Sequence, residues 1–233
     1  MASKLDKELS IPSVELSEPD LALAIDTYFA EGGRAIALRN HVYVPLLKAK
    51  DLSKAELVSR ALVNQDATDI LFWRDRSRLA VLRGDLQAAV QAIESALTLN
   101  AAIQDKSLLS QSIQTFLAAG QNDKAAQIAR MAKPYYPNDI RLCHLAMTAL
   151  YRADPAADCR DLACDAAVQL AELATSPNAE IDLDLVAAAG GVLLSCGKVS
   201  QTLEILTKAK ADTSDNARAL FEVGRARFLS GEK

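Results

Sequence analysis

The pair Asp51-Leu52 returns as Asp85-Leu86 after 34 residues, and Gly197 returns as Gly231 at the same spacing. A step of this length constrains the fold more than any single motif in the chain. It is the signature of a small helical unit that cannot bury its apolar face alone and must stack on copies of itself. The clearest copy carries Trp73, Gly84-Asp85-Leu86, Ala89, Ile93, Ala96 and Leu97. The next carries Leu109, Phe116, Gly120, Ala125, Ala129, Ala132 and Pro137. Gly120 follows Gly84 by 36, so two extra residues belong in the connection between these copies.

Composition agrees with stacked helices. Half of the 233 residues are hydrophobic, yet only 5% are aromatic. Alanine fills the difference at roughly a sixth of the chain, well above its ordinary share. It is the best helix former and lets helices approach closely. Runs of Val, Ile and Thr at period two are nearly absent, so the expected fold class is all-α.

Breakers and caps divide the chain. Pro12 and Pro19 oppose a helix before Asp20, leaving a flexible leader over 1–18. A helix is expected from Asp20 to Ala30, stopped by Gly32-Gly33. Another is expected from Arg34 to Lys48, bent or shortened by Pro45. Repeats follow over 34–66, 68–101, 104–137, 140–177 and 183–214, with an incomplete one over 217–233. Together with the helix before them they form one domain, 19–233. In the fourth repeat the surplus residues are expected in the 153–160 turn. The sixth stops where its second helix should begin, which suggests a chain that continues.

The net charge of −4 and pI of about 5.3 oppose a general affinity for nucleic acid or anionic membranes. No apolar run approaches the roughly 20 residues that span a bilayer. The N-terminus lacks the apolar stretch of a secretory signal. No membrane insertion is expected, and the expected location is cytoplasmic. Cys143, Cys159, Cys164 and Cys196 form no CxxC pair and read as reduced, buried or half-buried thiols, with no metal site. Gly32-Gly33 and Gly190-Gly191 follow no strand, and Gly197-Lys198 is followed by Val199. No nucleotide loop exists, and no cofactor is expected. His41 and His144 lie far apart without a recognisable nucleophile, so the segment reads as not an enzyme.

The residues of the second repeat resemble the tetratricopeptide repeat (TPR) family, and the resemblance covers about 34–231. Arg76 and Ser77 stand where the family usually has Leu and Gly. Ala101 and Ser214 replace the closing proline. The resemblance implies an α-solenoid of helix-turn-helix units forming a right-handed superhelix, the first helix of each unit lining a concave face. Trp73 then fills the gap between paired helices. Registering the first helices of the second to fourth units points one set of side chains into the groove. These are Arg74 and Arg78, then Gln111 and Gln114, then Arg141, His144, Thr148, Tyr151 and Arg152. Arginine grips carboxylates and phosphates with two parallel hydrogen bonds. Arg74, Gln111 and Arg141 resemble part of the clamp by which some members hold the C-terminal carboxylate of chaperone peptides. Arg78 stands where an Asn would be, and Leu145 where a basic residue would be. The competing reading pairs the arginines with Asp75, Asp139 or nearby acids as ordinary surface charge.

The expected function is a protein–protein interaction scaffold holding an extended peptide or partner protein, with an acidic segment, in the groove. The alternative is the N-terminal recognition domain of a larger enzyme, such as a bacterial glycosyltransferase. A stand-alone secretion chaperone ranks below both. Homodimerisation through the sixth helix is a further expectation.

Overall fold

The computed structural model describes residues 16–99, 102–153, 157–176 and 181–231. The expected leader lies, up to residue 15, outside the described residues. Among those described, every regular element is helical. The first helix, α1, is Glu18–Ala30. It starts before Asp20 because Ser17 caps it and Pro19 sits in the first turn, where the N–H that proline lacks would have no helical partner. The second, α2, has three segments: Ala35–Leu38, a π-helical turn Arg39–Tyr43, and Val44–Lys48. Pro45 opens the last segment and removes one backbone donor. The wider turn before it, closed by Val44 N–H on the Arg39 carbonyl, absorbs that break without ending the helix.

Ten further helices are described: the first follows α2, the next eight run as four consecutive pairs, and the last is single. They are α3 (Leu52–Gln65), α4 (Ile70–Leu82), α5 (Leu86–Leu97), α6 (Lys106–Ala118) and α7 (Asn122–Ala132). Then follow α8 (Ile140–Arg152), α9 (Ala157–Ala174), α10 (Leu183–Ser195), α11 (Val199–Lys208) and α12 (Ala217–Ser230). Asp51, Asp69, Asp85, Asp139 and Asp182 each cap a helix through the side-chain oxygen. This is the physical content of the recurring Asp: it accepts an N–H that the first turn leaves unpaired.

Gly84, Gly120 and Gly197 adopt left-handed φ, which ends one helix and aims the chain at the next, and Gly231 takes the same conformation at the end of the last described helix. Lys50 takes the same conformation, φ 60°, just before the Asp51 cap. The extra residues before α6 form a 3-10 turn, Ala102–Gln104, with Ala102 buried. The surplus of the fourth repeat is not confined to a turn. Residues 157–160 are already helical, and α9 runs to 18 residues. Residues 154–156 lie outside those described.

The chain divides into two compact units between Leu108 and Leu109. In the first, Leu21, Ile25, Leu38, Tyr43, Leu46, Val58, Leu62, Phe72 and Leu79 form the core. Trp73 packs partly buried against it, and its indole N–H donates to the Ala67 carbonyl at 2.8 Å. In the second, one cluster centres on α8, α9 and α10, with Met147, Leu150, Leu170 and Leu193. Another gathers Val186, Leu206 and Val223.

Candidate functional site

In the first unit, Arg74 and Arg78 lie one turn apart on α4. Arg74 is half-buried and reaches Asp105 at 3.4 Å. Asp105 also caps α6, accepting from Leu108 N–H at 2.7 Å. Arg78 is exposed. Asp75, which sequence reasoning offered as a partner for these arginines, goes elsewhere. It is 8% exposed, and both its oxygens are held by the guanidinium of Arg39, Nη2 at 3.2 Å from Oδ1 and Nε on Oδ2. Tyr43 is fully buried and donates its hydroxyl to the Asp75 backbone carbonyl at 2.8 Å. The hydrogen bond to Asp75 raises the Arg39 pKa above its ordinary value. Burial, with the Asp75 charge, raises that of Tyr43. No spacing motif announces this trio. Its one trace in sequence is an acid at a core-facing position of α4.

Trp73 lines an open hollow of about 440 Å³ with Ala67, Gln91, Glu94, Ser95, Thr98 and Leu99. Its lining mixes polar and apolar side chains, and the indole N–H is already committed to Ala67.

In the second unit, α8 carries Arg141, His144, Thr148, Tyr151 and Arg152. At 100° per residue these fall within about 100° of arc, one continuous face. Arg141, Tyr151 and Arg152 are exposed, and His144 and Thr148 are half-buried. The Thr148 hydroxyl bonds back to the His144 carbonyl at 2.9 Å and spans one turn of the face. Neither Arg141 nor Arg152 meets a carboxylate among the described residues. Burial holds the His144 imidazole below its ordinary pKa, Arg218 of α12 adding to the effect and Asp182 opposing it. The N-terminal parts of α10 and α12 therefore share this electrostatic surface.

Gln111 and Gln114 lie on α6, the first half-buried and the second exposed. Counted from the helix starts at Ile70, Lys106 and Ile140, Gln114 has the same offset as Arg78 and Thr148. Gln111 has the offset of Asp75 and Leu145. Arg74, Gln111 and Arg141, which resemble a carboxylate clamp in sequence, thus occupy three different offsets. Among the described residues no group of three or more His, Cys, Asp or Glu is placed to hold a metal ion.

No family model matches this sequence, and no curated protein sequence matches it. Solved structures do match. YrrB, a TPR protein with an unusual peptide-binding site, superposes with a TM-score of 0.64 at 18% identity, over 88% of this chain and 98% of that one. A tetratricopeptide repeat protein from Parabacteroides merdae also gives 0.64, at 12% identity, over 85% and 74%. MamA from Desulfovibrio magneticus RS-1 gives 0.61, at 15% identity, over 84% and 98%. The chain has the tetratricopeptide-repeat fold, an all-α solenoid class. No described helix is long and apolar enough to cross a membrane.

Proposed function

We propose that this protein is a non-enzymatic interaction scaffold that binds a peptide or protein segment bearing acidic groups. The observation that carries the reading is the face of α8, where Arg141 and Arg152 flank His144, Thr148 and Tyr151 and have no acid of their own among the described residues. An unpaired, exposed guanidinium on a rigid helix is pre-organised for a carboxylate, and Tyr151 adds apolar contact beside it. Gln111 and Gln114 supply further hydrogen-bonding groups in the same unit. Arg78 offers a separate anchor in the first unit. Arg74, already held by Asp105, contributes less. YrrB, with its peptide-binding site, supports this use of the fold.

The repeats of this reading are the helix pairs α2–α3, α4–α5, α6–α7, α8–α9 and α10–α11, over 34–66, 68–101, 104–137, 140–177 and 183–214, with α12 opening a sixth. The acidic balance of the chain supports a protein partner over nucleic acid, and a cytoplasmic setting accords with four free thiols. The exposed side chains Leu220, Phe221, Phe228 and Leu229 of α12 favour a homodimer through that helix, which sedimentation of the purified chain tests. The same binding face would serve a recognition domain of a larger enzyme, such as a glycosyltransferase. The length of the native reading frame separates that reading.

The direct test is pull-down of a partner, followed by titration calorimetry with wild type and an Arg141→Ala/Arg152→Ala variant. Each charge-assisted contact is worth about 1–3 kcal/mol, so the double variant should bind at least tenfold more weakly. Affinity should also fall with salt, since exposed pairs are screened over roughly 8 Å at physiological ionic strength. Lys208→Ala, on the exposed side of α11, is the control. Equal affinity of wild type and double variant would refute the basic face and leave the fold untouched.

A further inference from the structure

A cavity lies among α7, α8 and α9, walled by Ala129 of α7, Leu142, Ala146 and Leu150 of α8, and Leu162 and Ala166 of α9. Alanine at three of these positions leaves a gap that longer side chains would fill. The free volume is about 30 Å³, and with its open mouth the hollow spans about 460 Å³. At 100° per residue, Leu142, Ala146 and Leu150 lie about 140° around α8 from Arg141, Thr148 and Arg152. The cavity is therefore separate from the face that reads as the partner site.

Polar groups complete the lining. The Pro137 carbonyl of the α7–α8 linker accepts from Gln169 Nε2 at 2.5 Å and from Cys143 Sγ at 3.4 Å. These bonds fasten the linker to α8 and α9, so the site is pre-formed. Arg130 and Lys133 are exposed, which places their charges at the mouth. Arg130 donates one N–H to Cys159 Sγ, Nη2 at 2.8 Å, and neither cation meets a carboxylate among the described residues. The nearby Asp139 is occupied in capping α8, where it accepts from Leu142 N–H at 2.9 Å.

We propose that this cavity binds a short, branched aliphatic carboxylate, its methyl groups among the alanines and leucines and its carboxylate at Arg130 and Lys133. A free volume of this size holds about two water-sized spheres, which suits an isopropyl end and excludes an aromatic ring. Water is a poor occupant. It needs about two to four polar partners, and the walls offer little beyond a thiol already bonded to Pro137. The two exposed cations select an anion, and the Arg130 fork suits a carboxylate. A free acid fits the mouth better than a peptide side chain does. The rim is built of helix side chains, so a peptide backbone finds no strand edge to pair with there.

The experiment titrates the purified full chain, methyl-labelled at Leu and Ala, with isovalerate and follows the methyl signals by NMR. The methyls of Leu142, Ala146, Leu150 and Leu162 should shift together, with a Kd of about 1 mM for so small a ligand. Isoamyl alcohol, which keeps the branch and lacks the charge, should bind at least about tenfold more weakly. Acetate, which keeps the charge and lacks the branch, should also lose at least about tenfold. Lys133→Gln, at the surface, should weaken isovalerate about threefold. Ala146→Leu should fill the cavity and abolish the shifts of the three leucines. The comparison of ligands on wild type is decisive even where that variant fails to fold. A blocked peptide, acetyl-Glu-Val-Glu amide, should bind no more tightly than isovalerate, and tighter binding would overturn the assignment to a free acid. Acetate or the alcohol binding as tightly as isovalerate, or shifts that miss the cavity methyls at about 20 mM isovalerate, would overturn the site itself.

Discussion

Replacing Asp75 by Ala should destabilise the first unit by about 2–3 kcal/mol. The carboxylate is nearly enclosed and holds both nitrogens of the Arg39 fork, whose side chain is 21% exposed. Breaking a fully buried pair costs about 3–5 kcal/mol, because the surviving charge has neither partner nor water. Here some water reaches the guanidinium, which places the loss at the lower end and near the worth of one charge-assisted hydrogen bond. Asp75→Asn keeps an acceptor but turns an NH₂ toward the fork, and should cost about 1–2 kcal/mol. Trp73 is the single tryptophan of the chain and lies on the same helix. Its fluorescence during urea unfolding therefore reports the unit concerned. The Arg39→Ala/Asp75→Ala double variant should recover part of the loss, a coupling of about 1–2 kcal/mol. A single-variant midpoint equal to wild type, or strictly additive losses, would refute the assignment of this pair as a structural clamp.

Lys50→Gly should stabilise the first unit by about 0.5–1 kcal/mol, since Lys50 holds φ 60°, a conformation that glycine takes at positions 84, 120 and 197; an unchanged urea midpoint would count against strain there. Gly190→Ala should be tolerated or stabilise by up to about 1 kcal/mol. Its new Cβ would sit in ordinary contact at 3.4 Å from Thr202 Cγ2, and a large loss on thermal melting would show that the helices cannot accept it. The pKa of His144 is depressed on folding, so the unfolded chain takes up a proton first as pH falls. The stability it allows is fully present above pH 6.5, its ordinary value, and declines as pH drops toward the folded pKa. His144→Gln should flatten that part of the pH profile measured by urea unfolding followed by circular dichroism, and a profile identical to wild type would exclude His144 as its source.

Much of this protein was legible before any coordinate. The 34-residue step, the aspartates at positions 51 and 85 and the glycines at 84, 120, 197 and 231 are local signals. A cap or a left-handed turn is decided by residues within one helical turn, so it can be read along the chain. The face shared by Arg141, His144, Thr148, Tyr151 and Arg152 follows in the same way from helical periodicity within α8. Only tertiary structure decided the partners. Arg39 and Asp75 are 36 residues apart, and Arg74 and Asp105 are 31. Such pairings depend on how neighbouring helices are rotated and staggered, and on which rotamer fills the gap between them. A one-residue change of register swings a helix face by about 100°. That is why Asp75, read as a neighbour of the surface arginines, belongs to Arg39 and the core, while Gln111 has the offset of Asp75 and not of Arg74.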